Sequence, residues 1–136
     1  MTGTGPVSYA WRGEFTNVEV ATLHAEGFDH PVLAEDWWGQ VNRYCLGWVC
    51  ARTGDGALVG FVKVVWDGGV HGFVLDTVVT ARARHHGVGT ELVAVATRAA
   101  RAAGCEWLHV DYEEHLRGFY EQRCGFTPTP AGLIGL

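Results

Sequence analysis

The sequence lacks any apolar run close to the roughly 20 residues that a membrane-spanning helix needs. Its N-terminal stretch, MTGTGPVSYAWRGEF, has neither the charged nor the apolar segment of a secretory signal peptide. Positive charge is also scarce: the formal net charge is −5, whereas nucleic-acid-binding domains usually present a basic face. We therefore expect a cytoplasmic protein that has neither membrane nor nucleic acid among its partners.

Cysteine pairs and metal-ligand patterns are missing as well. No Cys-x-x-Cys pair and no secreted-type disulfide framework occurs, so all the cysteines are expected to be reduced thiols: Cys45, Cys50, Cys105 and Cys124. The adjacent His85 and His86 would point apart on a turn, and no set of three histidines has the spacing of metal ligands. We expect no bound metal.

The first part of the chain reads as helices followed by strands. With 136 residues, 48% of them hydrophobic, a single domain over residues 1–136 is expected. A capping box from Thr16 to Glu19 predicts a helix that runs to about Gly27, and a second helix is expected after Pro31. Strands are predicted in RYCLGWVCART, ALVGFVKVVW and GFVLDTVVT, which Gly-containing turns separate.

The second part of the chain alternates helix, strand and helix. A long helix opens near Gly87, places Leu92 and Ala96 on its apolar face, and ends at Gly104. A strand is predicted in EWLHVDY and a short helix in EHLRGFYEQRC. The order of elements along the whole chain predicts an α/β fold with a mixed sheet.

The stretch RARHHGVGTELVAVATRAARAAG places two glycines between an apolar strand and the start of the long helix. The first N–H groups of a helix have no partner within it, and the helix N-terminus carries about half a positive charge. Such a turn is an anion site, and glycines let a pyrophosphate approach the backbone closely. The alternative is a tight strand-to-helix turn without a ligand. Neither the phosphate-loop pattern nor the dinucleotide fingerprint is present.

Two segments together resemble the GNAT family of N-acetyltransferases. Arg84-His85-His86-Gly87-Val88-Gly89 fits Arg/Gln-x-x-Gly-x-Gly/Ala, and Phe119-Tyr120 precedes Gly125-Phe126 about thirty residues later. The resemblance implies a GNAT-type α/β (α+β) fold: a twisted, mostly antiparallel mixed sheet flanked by helices, with a V-shaped splay between the fourth and fifth strands. It also implies acetyl-CoA as co-substrate.

The same resemblance assigns residues to the acetyl-CoA site. Val78 and Val79 would offer backbone groups to the pantetheine arm. The diphosphate would be held by the loop Arg84, His85, His86, Gly87, Val88, Gly89 and Thr90. Three positions depart from the family pattern: Glu113 stands where many members have Asn, His85 is bulky, and one extra residue separates Tyr120 from Gly125. The extra residue would rotate Tyr120 away from the cofactor.

Acyl transfer from a thioester to an amine requires a proton acceptor for the amine and a proton for the departing thiolate. Tyr120 is the candidate acid, because a phenol is protonated at neutral pH. The alternative is an aromatic residue packed in the core. Asp76 is the first candidate base, on a strand face expected to be shared with Val74 and Val78. Asp111, His109 and a water relay remain alternatives.

The acceptor would bind near FDHPVLAEDWWGQ, where aromatic side chains lie beside carboxylates and suit a cation. Phe28, Trp37 and Asp111 are the candidate contacts, and an amphipathic helix with buried tryptophans is the alternative for this segment. The sequence thus predicts an N-acetyltransferase of a small-molecule primary amine. A protein lysine or N-terminal acetyltransferase and an inactive acyl-CoA-binding domain are the competing interpretations. The apolar tail GLIGL favours a homodimer.

Overall fold

Five strands form one sheet in the computed structural model, which describes residues 5–136. The strands are β1 (Val7–Trp11), β2 (Cys45–Thr53), β3 (Leu58–Trp66), β4 (His71–Val79) and β5 (Trp107–His109), and they lie in that order across the sheet. Neighbours from β1 to β4 are antiparallel, whereas β5 runs parallel to β4. This confirms the predicted mixed, mostly antiparallel sheet.

Helices cover both faces of the sheet. One face packs against α1 (Asn17–Phe28) and α2 (Trp37–Tyr44), and the other packs against α3 (Val88–Ala102). Short 3₁₀ turns occupy Ala81–Ala83 and Glu114–Leu116, and Gly118–Arg123 forms a π-helical turn. Across residues 5–136, every helix is too short or too polar to cross a membrane.

The strand β1 was absent from the expected order of elements, which began with a helix. Val7, Tyr9 and Trp11 are half-buried, while the residues between them are exposed. This period-two pattern is that of a strand with one face on the core. The strand is only five residues long and follows a glycine-containing segment, so the alternation of apolar and polar residues was too short to identify it.

The first helix begins at the predicted capping box. The Glu19 N–H donates to the Thr16 hydroxyl at 3.2 Å, and the Thr16 N–H donates to the Glu19 carboxylate at 2.9 Å. The helix ends one residue after the predicted position near Gly27, at Phe28, and Asp29 rather than the glycine adopts the left-handed conformation that ends it, with φ 53°. Gly27 is needed for packing instead: a Cβ there would lie 2.0 Å from the Val78 side chain.

The end of β4 separates from β5 and contains a bulge. Pairing between the two strands ends at Phe73 and His109, although β4 continues to Val79. The pairing of β3 with β4 shifts register between Phe61 and Lys63, opposite Asp76, whose φ is 58°. The outcome is a V-shaped opening with an irregular strand along one side.

The bulge overturns the expectation that Val74, Asp76 and Val78 share a face. Val78 packs with the residues under α1 and α2, whereas Val74 packs with those under α3. A bulge inserts one residue into a strand, so each side chain beyond it switches faces. Strict alternation could not predict this exchange.

Candidate active site

The N-terminus of α3 exposes backbone donors. Gly87 adopts a left-handed conformation, with φ 78°, and the first backbone bond into the helix runs from the Glu91 N–H to the Gly87 carbonyl, at 3.0 Å. Within residues 5–136, no protein acceptor takes the N–H groups of Val88, Gly89 and Thr90. Three adjacent donors at a helix N-terminus form an anion-binding arrangement.

One side chain before the helix fixes the position of this loop, and the neighbouring histidines are exposed to solvent. The Arg84 Nε donates to the Val79 carbonyl at 3.1 Å, which ties the loop to the end of β4. His85 is also left-handed, with φ 65°, and both His85 and His86 are exposed. The residues from 84 to 90 therefore surround three open backbone donors at the start of α3.

Gly89 leaves its backbone N–H accessible, and its lack of a side chain also allows close packing against neighbouring residues. A Cβ at this position would lie 3.1 Å from the Phe119 ring and 3.7 Å from the Val79 side chain. A larger residue would therefore push α3 away from the π turn. A branched substitution at Gly89 cannot test the ligand path alone, because it would also disturb the contact with Phe119.

The V-shaped opening exposes the backbone of β4 where β5 no longer pairs with it. Val78 and Val79 lie in this unpaired stretch, although the Val79 carbonyl already accepts from Arg84. Thr77 also lies here, and its hydroxyl is buried without a hydrogen-bond partner from residues 5–136. Buried polar atoms are nearly always satisfied, so the orphaned Thr77 hydroxyl fits a ligand that lies along this edge.

Tyr120 lies on the π turn and is 7% exposed. Its ring stacks on Tyr112 with centroids 5.1 Å apart and meets Phe119 and Phe126 edge to face. The Cys124 N–H donates to the Phe119 carbonyl at 3.0 Å, the spacing of a π-helix. The π turn accommodates the extra residue between Tyr120 and Gly125, and Tyr120 stays buried.

Burial raises the pKa of Tyr120, and the neighbouring Thr77 hydroxyl opposes that rise. The charge of Asp111 raises the pKa slightly further. The Thr77 hydroxyl lies beside the phenol without forming a well-aligned hydrogen bond. The Tyr120 phenol is therefore protonated at neutral pH and borders the orphaned Thr77 hydroxyl on β4.

Asp76 projects from the bulge into a network on the α1 and α2 face. Its Oδ2 lies 2.9 Å from the Lys63 Nζ and its Oδ1 lies 3.0 Å from the His24 Nε2. Lys63 also donates to the Gln40 amide oxygen at 2.6 Å and lies 5.1 Å from the centre of the Trp37 ring. Both carboxylate oxygens of Asp76 are thus engaged by nitrogen donors.

The network continues from His24 into the connection between α1 and α2. The His24 Nδ1 lies 2.7 Å from the His30 Nε2, and the His30 Nδ1 donates to the Pro31 carbonyl at 2.6 Å. The His24 ring also contacts the Phe28 ring, with centroids 4.4 Å apart, and the Trp37 ring, with centroids 5.0 Å apart, at tilted angles of 34° and 42°. The structure therefore brings the predicted residues Phe28, Trp37 and Asp76 together around His24.

The remaining candidates lie apart from this network. Asp111 follows β5 and is exposed, and its charge raises the pKa of Tyr120. His109 contacts His71 at 2.8 Å and stacks on Phe73. Asp36, one of the carboxylates in the segment FDHPVLAEDWWGQ, caps α2 by accepting from the Gly39 N–H at 3.0 Å, which gives it a structural role.

Three members of the network were missed by sequence reasoning. Lys63 interrupts the apolar strand LVGFVKVVW, and a lone lysine in a buried strand indicates a charged partner. His24 follows the buried Val20 by four residues, which places it on the inner side of α1. Nothing in the sequence singled out His30, because its contact depends on the path of the loop after α1.

Comparison with known proteins identifies the family. The chain matches the model of the Acetyltransferase (GNAT) family over residues 10–126, which is most of its length. The protein therefore belongs to the GNAT acetyltransferase family. This confirms the resemblance carried by Arg84 to Gly89 and by the Phe-Tyr and Gly-Phe pairs.

A curated relative from Oryza sativa subsp. japonica, named "Probable glucosamine 6-phosphate N-acetyltransferase 2", is 36% identical over 108 residues. The alignment covers 79% of this chain and 60% of the relative, so the chain spans less than two thirds of that protein.

Solved structures share the fold at lower identity. A GNAT family acetyltransferase from Streptococcus pneumoniae TIGR4 has a TM-score of 0.78 at 22% identity, and the match covers 96% of this chain and 98% of that one. AAC(6′)-Iy, in complex with the bisubstrate analogue CoA-S-monomethyl-acetylneamine, has a TM-score of 0.75 at 18% identity, with 97% and 98% covered. At these identities, the likeness establishes the fold alone.

Proposed function

We propose that the protein is an acetyl-CoA-dependent N-acetyltransferase that acts on a primary amine of a small molecule. The observation that carries this proposal is the row of N–H groups on Val88, Gly89 and Thr90, which have no acceptor among residues 5–136 and lie next to the V-shaped opening. Family membership supports the acetyl donor, and the CoA-containing analogue bound to AAC(6′)-Iy is consistent with it.

The opening offers matching groups along its length. The residues from 84 to 90 would hold the diphosphate with backbone donors, aided by the cationic Arg84. The edge of β4 at Val78 and Val79, which pairs with β3 but not with β5, would face the pantetheine arm. The buried hydroxyl of Thr77 lies farther along β4, where it would meet the thioester end beside Tyr120.

Because of the bulge, the residue that would protonate the thiolate and the candidate base would lie on opposite faces of β4. When bound, acetyl-CoA supplies an activated acetyl group as a thioester. An ammonium group must lose one proton before its nitrogen can form the new C–N bond, and the amide nitrogen loses a second proton afterwards. The Tyr120 phenol would donate a proton to the sulfur as the C–S bond breaks, while Asp76 faces away from Tyr120, toward His24.

The acceptor would enter beside Phe28 and Trp37. The Phe28 ring is half-exposed and contacts the His24 ring, whereas the Trp37 ring is buried beneath the Lys63 ammonium group. A half-exposed aromatic ring beside a polar network suits a small amine with polar substituents. The relative from Oryza sativa is named for an amino sugar phosphate, so this class belongs among the acceptors to be tested.

A panel of amines tests the function directly. Release of the CoA thiol would be measured with glucosamine, glucosamine 6-phosphate, a polyamine, free lysine and a lysine-containing peptide. We expect thiol release with at least one small amine, and mass spectrometry should show one added acetyl group. Transfer to the peptide alone would favour a protein acetyltransferase. Tight acetyl-CoA binding without any transfer would leave an inactive acyl-CoA-binding domain.

We also propose a homodimer in the cytoplasm. Leu133, Ile134 and Leu136 are all strongly exposed, and apolar side chains in such a cluster are commonly covered by a partner. All four thiols are free, which fits a reducing compartment. Light scattering over a range of concentrations should give the mass of two chains. A mass of one chain throughout that range would exclude the dimer.

A further inference from the structure

The last paired residues of β4 and β5 place a histidine at the closed end of the V-shaped opening. Phe73 and His109 are partners in register, and the two strands separate beyond them. Val74 and Leu108 pack under α3, so their neighbours Phe73 and His109 point to the opposite face of the sheet. Both side chains are exposed there, so α1 and α2 leave this part of the sheet uncovered.

A second histidine fixes the ring of His109. The His71 Nδ1 and the His109 Nε2 lie 2.8 Å apart, and the His109 ring stacks on Phe73 with centroids 4.6 Å apart and 18° between the planes. Among residues 5–136, neither ring has another hydrogen-bond partner. We call His71 and His109 the histidine pair. The His109 Nδ1 is therefore open to a substrate at the closed end of the opening.

We propose that His109 is the base that removes a proton from the acceptor amine, and that His71 is a positioning residue that holds its ring. The proposal rests on the proposed acetyltransferase function. Asp76 is less suited to this role, because Lys63 and His24 already engage both of its carboxylate oxygens. The histidine pair is a different set of groups, and one of its ring nitrogens faces no protein donor within residues 5–136.

The proposed acid lies near the same end of the opening. The Tyr120 phenol borders Thr77 on β4, and its pKa is raised mainly by burial and further by the charge of Asp111. Asp111 follows His109 by two residues, which is about 7 Å along an extended chain. Tyr120 packs against Phe126 on the α3 side, whereas His109 points to the other face. A thioester between the strands would meet the acid from one face and the amine from the other.

The tautomer of the pair follows from this role. The bond between the rings needs one proton, and with that proton on the His109 Nε2 the His109 Nδ1 has a bare lone pair. The lone pair forms a new N–H bond as the ammonium N–H bond breaks, and the electrons of the broken bond stay on the amine nitrogen. The exposed imidazolium then returns this proton to solvent. The second proton, from the amide nitrogen, restores the Tyr120 phenol after it has protonated the sulfur.

Charged groups near the pair favour a proton on it. The Asp67 carboxylate, in the turn before β4, accepts from the His71 N–H at 3.3 Å. The Gly69 N–H contributes most to lowering the pKa of Asp67, and a charged His71 lowers it further. Asp111 adds a second carboxylate after β5, and the cation on β3, Lys63, lies in an ion pair. The two carboxylates therefore stabilise the imidazolium.

Nuclear magnetic resonance tests the tautomer without any activity assay. In the ¹⁵N-labelled full chain, at a pH where the rings are neutral, we expect the proton of His109 on Nε2 alone. His115 provides the reference, because its exposed ring contacts the Glu113 carboxylate and no imidazole. A proton on the His109 Nδ1, or a mixture of tautomers like that of His115, would overturn the proposal.

The pH dependence of kcat/KM tests the base. His109→Gln keeps a polar side chain that cannot take up a proton, so kcat for an alkylamine at neutral pH should fall about 100-fold or more, with acetyl-CoA affinity unchanged. The wild-type kcat/KM should level off once His109 is neutral. In the variant it should keep rising toward the pKa of the amine, about 10.4. The matched control His115→Gln should leave the rate and the profile unchanged.

Two variants test the positioning role of His71. His71→Phe keeps a ring but removes the acceptor for the His109 Nε2, so kcat should fall about three- to tenfold, the size of one hydrogen bond, with KM unchanged. His71→Asn offers an amide oxygen close to the position of the lost Nδ1 and should restore most of the rate. Equal losses in both variants would overturn the positioning role.

The possible failures are distinguishable. A wild-type profile in His109→Gln, with preserved circular dichroism, would overturn the base. Absence of transfer to every amine by the wild-type protein would overturn the proposed function and the base together, and the tautomer would then describe a structural pair. Recovery of His109→Ala by added imidazole supports the proposal, because an exposed site can admit a free base.

Discussion

The loop before α3 and the network around Asp76 are built in opposite ways, although both border the same strand. In the loop, the N–H groups of Val88, Gly89 and Thr90 have no protein acceptor within the described part of the chain. Around Asp76, both carboxylate oxygens are engaged. Unpaired backbone donors await water or a ligand, whereas a satisfied network fixes side-chain positions.

The loop before α3 and the network around Asp76 do not differ in backbone strain. Both contain non-glycine residues in the left-handed conformation, with φ 65° at His85 and 58° at Asp76. Such a conformation costs about 1–2 kcal/mol. At Asp76 the contacts with Lys63 and His24 offset this cost within the protein, whereas His85 is exposed. We therefore expect substitutions in the loop to change ligand affinity and substitutions in the network to change stability.

Tyr120→Phe should have the largest effect, because Tyr120 faces the opening between these two regions. The substitution removes one oxygen and keeps the stacked ring, so folding and acetyl-CoA affinity should change little. Turnover should fall about 100- to 10,000-fold if the phenol protonates the thiolate. Steady-state kinetics with a responsive amine would measure this loss.

The pH profile adds a second readout for Tyr120. Because burial raises the pKa of its phenol above the usual value of 10.0, the wild-type rate should fall only above that pH, and this limb should vanish in Tyr120→Phe. Tyr112→Phe is the matched control, since Tyr112 stacks on the same ring and donates to Glu121. Unchanged turnover in Tyr120→Phe, with chemistry rate-limiting, would assign Tyr120 to the core.

Thr90→Pro tests whether the open backbone donors of the loop bind the diphosphate. Proline is tolerated in the first turn of a helix, and here it deletes an N–H for which the described part of the chain offers no acceptor. A hydrogen bond to a charged group contributes about 1.5–3 kcal/mol, so acetyl-CoA affinity should fall about 10- to 100-fold. Calorimetric titration would measure it.

Thr90→Ala separates the backbone from the side chain. It removes the hydroxyl and keeps the N–H, so affinity should stay within about threefold of the wild type. Equal losses in the two variants would point to the hydroxyl as the contact. Wild-type affinity in Thr90→Pro would contradict the diphosphate assignment.

Asp76→Asn tests the network through stability. Asparagine also tolerates the left-handed conformation, so the substitution mainly removes the charge. It leaves the buried Lys63 without its anion. Breaking a buried ion pair costs about 3–5 kcal/mol, and because Asp76 is 24% exposed at its side chain we expect a loss of about 2 kcal/mol.

Asp29→Asn is a matched control for this measurement. Asp29 is also left-handed, with φ 53°, but it is exposed at the end of α1. Its substitution should change the free energy of unfolding by less than about 0.5 kcal/mol. Urea denaturation of both variants would give the comparison. Equal stability of the two would show that the network contributes nothing to the fold.

Local signals predicted the parts of the fold that depend on neighbouring residues. The capping box at Thr16 and Glu19 located the start of α1, and the glycines at 87 and 89 located the start of α3 within one residue. Such features depend on hydrogen bonds a few residues apart, which the sequence displays directly. The family motif extended this to a mostly antiparallel mixed sheet with a splay between its fourth and fifth strands.

Features that depend on pairing between distant segments escaped prediction. The bulge at Asp76 is defined by its register against Phe61 and Lys63, and no pattern within β4 reveals it. His24 and His30 meet through a loop whose path depends on tertiary packing. The π turn was visible only as one surplus residue before Gly125, and the structure shows how that residue is accommodated.

Phe28→Ala should have the smallest effect and tests where the acceptor binds. The Phe28 ring is 48% exposed and lies 4.4 Å from the His24 ring, at the outer edge of the network. A partly exposed aromatic contact contributes about 1 kcal/mol, so KM for the amine should rise about three- to tenfold while kcat changes little. Tyr44→Ala, at an exposed aromatic residue on α2, serves as the control and should leave KM unchanged. An unchanged KM in Phe28→Ala would place the acceptor elsewhere.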